Sequence, residues 1–195
     1  MSGPPALLDA LRGLQEVLDR EGLRWYVFGA QAVVVYGRPR LTADVDVTIE
    51  ASLEGTLALI PDLSRRGFET RAPEPGELLR RTRVLPLVHL PSGLAVDVVV
   101  AGPGLEEEFL AHRRFVDLAG VLVPVISPED LVVTKILAGR PKDLEDVEGM
   151  LREQGERLDL ERSRRFLRSL EQALGRSDLV PVLDRLAEGA GRSQL

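Results

Sequence analysis

Val27-Phe28-Gly29-Ala30, and after it Arg40-Leu41-Thr42-Ala43-Asp44-Val45-Asp46-Val47-Thr48-Ile49, is the stretch that decides the fold. Val45, Val47 and Ile49 are β-branched, so Asp44 to Ile49 reads as a strand. Side chains alternate faces along a strand, which puts Asp44 and Asp46 on the same side, roughly 7 Å apart. Neighbouring carboxylates repel, and burying them costs several kcal/mol unless a cation offsets their charge. The pair therefore points to a divalent-metal site with Asp44 and Asp46 as ligands. Upstream, Trp25 to Phe28 is a short strand that delivers Gly29 to a helix over Ala30 to Tyr36. A glycine there lets backbone N–H groups approach a phosphate. Glycines after strands are also common turn residues, so Gly29 gains meaning only beside the acid pair. Amides for a phosphate tail and acids for magnesium are what a metal–nucleoside triphosphate needs.

Outward from this stretch, Leu7, Leu8, Leu11, Leu14, Val17 and Leu18 repeat at helical spacing between Ala6 and Arg20, and Gly22 ends that helix. Leu53 to Arg66 reads as a helix with a break at Pro61, and Arg71 to Glu77 as a loop. Val84 to Leu90 and Leu94 to Val100 form a hairpin around Pro91-Ser92-Gly93, and Val121 to Ile126 is a last short strand. Asp97 interrupts the apolar run Ala95-Val96-Asp97-Val98-Val99. It is either a third metal ligand or a strand-edge acid reaching solvent. Ser127-Pro128-Glu129-Asp130 starts a helix with an N-cap serine, a first-turn proline and acids at the positive dipole end. Gly139-Arg140-Pro141 interrupts it, a second helix turns Leu144, Val147 and Leu151 inward, and a last helical region from Leu158 to Leu186 breaks near Gly175 to Asp178. The fold class expected is α/β: a small mixed β-sheet core flanked by helices over residues 1–126. A helical C-terminal region over 127–195 packs on it, as a single compact unit.

Composition narrows the function classes. The net charge of −6 argues against broad, non-specific nucleic-acid binding, although 25 Lys and Arg leave room for a local basic patch. With no cysteine, disulfides, thiolate zinc sites and cysteine nucleophiles are excluded. Met1-Ser2-Gly3-Pro4-Pro5 lacks the features of a signal peptide, and no apolar run reaches membrane-spanning length. A soluble, cytoplasmic protein without membrane association is expected. His89 and His112 have no partner at metal-ligand spacing. The clusters Arg80, Arg81 and Arg83, and Arg162 to Arg168, read as solvated edges or as surfaces for an anionic acceptor.

The stretch Phe28 to Val47 resembles the signature of the DNA polymerase β-type nucleotidyltransferase superfamily: an apolar residue, Gly, then Gly or Ser, a spacer, and Asp-x-Asp flanked by apolar residues. Phe28-Gly29 begins it, Ala30 stands at the Gly/Ser place, and Asp44-Val45-Asp46 closes it. Arg40-x-Thr42-x-Asp44-x-Asp46 and the later Pro128-Glu129-Asp130-Leu131, Lys135, Arg140-x-Lys142-Asp143 and Asp146 look like the bacterial branch that includes the AbiEii-type toxins. The resemblance spans Arg24 to Leu151.

It implies transfer of a nucleoside monophosphate from an NTP to a hydroxyl of a tRNA end or a protein, in the setting of a toxin with a cognate antitoxin. Two magnesium ions would be held by Asp44, Asp46 and Asp97, the catalytic acids. Gly29, Ala30, Arg40, Thr42 and Lys135 would bind the nucleotide. Lys135 stands out because both lysines of this arginine-using chain fall at 135 and 142, and an ammonium is a compact charge suited to a phosphate oxygen. A solvated helix lysine is its other reading. Asp143 and Asp146 share a helix face, either in the site or as acids favoured by the helix dipole. Ala30 departs from the signature, since it has no hydroxyl for a phosphate. The alternative function is therefore a nucleotide-binding or interaction module of the same fold that is weakly active or inactive.

Overall fold

The computed structural model describes residues 5–37 and 44–192, which leaves Arg38-Pro39-Arg40 and Thr42 outside the described residues. The chain divides into two compact units. One holds the described residues up to Gln31 and from Asp44 to Ile126; the other takes Ala32 to Gly37 and everything from Ser127 onward.

The first unit is built on a mixed seven-stranded sheet. Its strands are β1 (Trp25–Phe28), β2 (Asp44–Ile49), β3 (Phe68–Thr70), β4 (Val84–His89), β5 (Leu94–Val100), β6 (Arg114–Leu118) and β7 (Val121–Val125), in the order β3-β4-β5-β2-β1-β7-β6. β2 runs parallel to β5, and β1 parallel to β7; the other neighbours are antiparallel. Alternation sorts the central strands, except that Thr48 on β2 is buried along with its neighbours Val47 and Ile49. Val45, Val47 and Ile49 on β2, Val96, Val98 and Val100 on β5, and Leu85 and Leu87 on β4 are all buried. Burying each such side chain stabilises the fold by about 1.5–3 kcal/mol before chain entropy is counted. Helix α1 (Pro5–Arg20) packs against β5 and β7 and buries Leu7, Leu11, Leu14 and Leu18. The single tryptophan, Trp25, is buried on β1, and its indole N–H donates to Asp19 at 2.9 Å.

Pro61 divides the helix expected over Leu53 to Arg66 into α3 (Leu53–Ala58) and α4 (Ile60–Arg65), with proline in the first turn of the second. Four elements go beyond the sequence reading. The segment Arg71 to Glu77, expected as a loop, follows β3 and runs into α5 (Pro75–Thr82). Pro75 and Gly76 are turn residues by type, but proline also fits the first turn of a helix. Between β5 and β7 lie α6 (Leu105–His112) and the edge strand β6. Within the basic cluster, Arg83 is an anchor rather than a free surface charge, since its guanidinium donates to the carbonyls of Val100 and Ala101.

Helix α2 (Gly29–Tyr36) begins in the first unit and ends in the second. The second unit adds α7 (Pro128–Ala138), α8 (Pro141–Gln154), α9 (Leu160–Leu174) and α10 (Leu179–Arg192). Ser127 caps α7 as its sequence predicts, its hydroxyl accepting the Asp130 N–H at 3.1 Å. The Gln154 amide donates to the Tyr36 carbonyl at 2.7 Å, tying the end of α8 to the end of α2. No helix among the described residues is long and apolar enough to cross a membrane.

Candidate active site

Asp44 and Asp46 open β2, whose register sets Asp46 opposite Phe28 on β1 and opposite Asp97 on β5. Register partners in a parallel pair stand on one face with strands roughly 4.8 Å apart. Asp44, Asp46 and Asp97 therefore occupy a single face, opposite the buried valines. Asp44 is exposed, and Asp46 and Asp97 are half-buried.

Gly29 stands where β1 passes into α2, with φ +65, in the left-handed region that favours glycine. A Cβ at this position would overlap the Asp46 carboxylate. The bare Cα is thus a condition for Asp46 standing where it does. Ala30 follows, buried and without a hydroxyl. Gln31 donates its side-chain amide to the Asp44 carbonyl at 3.3 Å, fastening the start of β2 to the start of α2.

Asp97 is engaged by a residue that the sequence reading passed over. Arg71, just after β3, sends its backbone N–H to the Pro86 carbonyl and its Nε to the Leu87 carbonyl, both at 2.9 Å. Its Nη2 then reaches across β4 to an oxygen of Asp97. The side chains are 40% and 37% exposed, so the pair itself contributes at most about 1 kcal/mol to stability. Its importance is that it turns the third carboxylate toward a guanidinium. The acids are hard oxygen donors of the type magnesium takes, and Gly29 leaves Asp46 room, so the donor set fits such an ion. Among the described residues no three such groups form a ready-made metal cage.

In the second unit, Lys135 is buried on α7, and its ammonium donates to Asp143 and Asp146 of α8, at 2.9 Å each. Arg140 also grips Asp143. Burial alone would raise the Asp143 carboxyl, but the hydrogen bonds from Arg140 and Lys135 outweigh it and hold the group below its ordinary value. Asp143 and Asp146 thus pin α8 to α7 through Lys135. Arg162, on α9, pairs with buried Asp130 at 3.0 Å, and Arg164 with Asp184 at 2.8 Å. Two of the four arginines expected as a solvated or anion-binding surface are joints between helices. His89 is likewise internal, its ring against Phe68 and its Nδ1 2.7 Å from the Ser92 hydroxyl.

A family model described as "Nucleotidyltransferase of unknown function (DUF6036)" matches residues 6–169. No curated protein matches the sequence. Among solved structures, the antibiotic-resistance factor ANT(2″)-Ia is similar over 87% of this chain and 95% of its own, at 14% identity and a TM-score of 0.59. The same protein in complex with adenylyl-2″-tobramycin aligns over 84% and 97%, at 16% identity and a TM-score of 0.56. The lincosamide antibiotic adenylyltransferase LnuA, with lincomycin bound, aligns over 72% and 94%, at 14% identity and a TM-score of 0.51. At such identities the likeness concerns the fold, a mixed sheet flanked by helices.

Proposed function

This chain belongs to the DUF6036 family of nucleotidyltransferases, and we propose that it moves a nucleoside monophosphate from an NTP to a hydroxyl acceptor, with the acids of β2 and β5 as its metal-binding and catalytic groups. The observation that carries this is the placement of Asp44, Asp46 and Asp97 on one sheet face, with Gly29 against Asp46. In this reading Asp44, Asp46 and Asp97 would hold the magnesium ions that offset the triphosphate charge, and Asp97 would also take the proton of the acceptor hydroxyl as its oxygen bonds to the α-phosphorus in line and the bond to the leaving pyrophosphate breaks. Two bound magnesium ions supply charge stabilisation of the attacking and leaving oxygens when present. Backbone N–H groups after Gly29 face the phosphate tail. Arg40, Thr42 and Lys135 enter the nucleotide-binding set on sequence resemblance, with Ala30 filling the place of the usual glycine or serine.

The acceptor is a hydroxyl of a tRNA end, a protein or a small molecule; the tobramycin and lincomycin of the structural neighbours supply the last of these. The AbiEii-like pattern supports a cytoplasmic toxin with an antitoxin partner. Incubating the protein with each labelled NTP, magnesium, and total tRNA, lysate or aminoglycosides tests the reading. Label transfer by wild type that is lost in Asp44→Ala is expected, and the labelled fraction identifies the acceptor.

The Arg71–Asp97 pair and Ala30 favour a second reading, a nucleotide-binding module without turnover. Magnesium-dependent NTP binding with no pyrophosphate released under any acceptor condition would select it.

A further inference from the structure

The hairpin of β6 and β7 ends the sheet, and among the described residues no further strand pairs with the outer side of β6. Its loop is Ala119-Gly120, with φ +52 and +86, the pattern of a two-residue type I′ turn closed by Leu118 and Val121. The closing pair of such a turn exchanges hydrogen bonds, and the alternation that follows fixes every later residue. Leu118, Val116 and Arg114 direct their N–H and C=O groups inward to β7; Asp117 and Phe115 direct theirs outward. Two observations agree with this phase. Pro124, which has no N–H, lies opposite Phe115, and Ile126 donates to Val27 on the far side of β7.

The outward row belongs to Phe115 and Asp117, and Phe115 is 57% exposed. Arg113, in extended backbone just before β6, shares their face and lies over the Phe115 ring at 5.5 Å. The face therefore reads Arg113-x-Phe115-x-Asp117, a sequence complementary to itself when reversed. We propose that β6 pairs antiparallel with β6 of a second copy, on a two-fold axis at Phe115. A two-fold perpendicular to the sheet keeps faces matched, so only registers with an even residue sum are allowed; centring on Val116 would set Phe115 opposite Asp117 and Arg113 opposite the turn residue Ala119, with no charge pair formed. Centring on Asp117 would oppose two carboxylates. Centring on Phe115 joins the two rings, sets each Arg113 opposite the other copy's Asp117, and exchanges main-chain bonds at each outward position.

Both charged partners have capacity for this. Asp117 gives one oxygen, Oδ1, to the Gly120 N–H at 2.6 Å, which leaves its second oxygen. Arg113 gives one N–H, on Nη1, to the Leu110 carbonyl, and a guanidinium carries five. The opposite edge offers no such row, since β3 has three residues and Arg71 follows it directly.

The interface is small, so a concentration-dependent dimer in the micromolar to millimolar range is expected from sedimentation of the full chain. Phe115→Pro removes an N–H that β7 does not use, and should raise the dissociation constant about tenfold or more with an unchanged circular dichroism spectrum. Because the chain has no cysteine, Phe115→Cys introduces a single thiol. Partners in a hydrogen-bonded antiparallel pair have Cα atoms about 5.5 Å apart, within reach of a disulfide. Phe115→Cys should cross-link across the axis, whereas Leu122→Cys, also exposed but on β7, should not. A wild type that stays monomeric at all concentrations overturns the proposal. So does a dimer that persists in Phe115→Pro, or Leu122→Cys cross-linking as fast as Phe115→Cys. If Phe115→Pro fails to fold, the two cysteine variants decide.

Discussion

Gly29 and Asp46 form a pair in which one residue's lack of a side chain sets the other's position. Gly29→Ala would add a left-handed non-glycine residue, costing about 1–2 kcal/mol, and would displace the Asp46 carboxylate. We expect magnesium or manganese affinity, measured by calorimetry, to fall about tenfold or more. Unchanged affinity would mean that Asp46 is not a ligand. Arg71 acts in the opposite direction. Removing it in Arg71→Ala leaves Asp97 free to turn to a cation, so divalent-metal binding should tighten several-fold while stability drops by no more than about 1 kcal/mol. Weaker metal binding in Arg71→Ala would instead identify Arg71 as the group that orients Asp97. The pH dependence of Asp143 also belongs at this scale. Its carboxyl is lowered on folding from an ordinary value of 3.8, so its contribution is present above that pH and is lost as pH falls through the depressed value. Urea denaturation of wild type and Asp143→Ala should differ most at neutral pH and converge in acid below 3.8.

Among the elements, α7 and α8 are held by a buried ammonium between two carboxylates. Asp146 would remain to partner Lys135 in Asp143→Ala, so the loss at neutral pH should lie at the low end for a broken buried pair, about 3 kcal/mol. A change within error would show that the pair serves something other than this helix joint. The elements that were legible in the sequence are those whose faces differ strongly. Asp44 to Val47 and Leu94 to Val100 set buried valines against acids or half-buried residues, and Ser127-Pro128-Glu129-Asp130 carries its own cap. β6 escaped because an exposed edge strand such as Arg114-Phe115-Val116-Asp117-Leu118 has no consistently buried face to leave a pattern. β3 is too short to show a period, and α5 starts with the same proline and glycine that mark loops. For the site, the Asp44 and Asp46 spacing was readable because it is local. Arg71 was not, because its partner Asp97 lies 26 residues away and reaching it depends on β4 lying between them. The role of Asp143 and Asp146 was half-readable: their shared helix face was apparent, their common partner was not.

At the scale of the whole molecule, a ligand that binds only the folded chain must stabilise it by mass action. At a magnesium concentration about a hundred times the dissociation constant, the gain is about 2.7 kcal/mol, which for a chain of this size raises Tm by about 5–10 °C. Calorimetric scans should show this shift in wild type and none in Asp46→Asn; a shift of equal size in the variant would move the cation elsewhere. Trp25 offers a different kind of access to the same behaviour. It is the only tryptophan, it is buried, and it belongs to the first unit. Its fluorescence therefore reports on the sheet alone, whereas far-ultraviolet ellipticity is summed over helices of both units. Overlaying the two melting curves on one sample would reveal whether the chain comes apart in one cooperative step or in two.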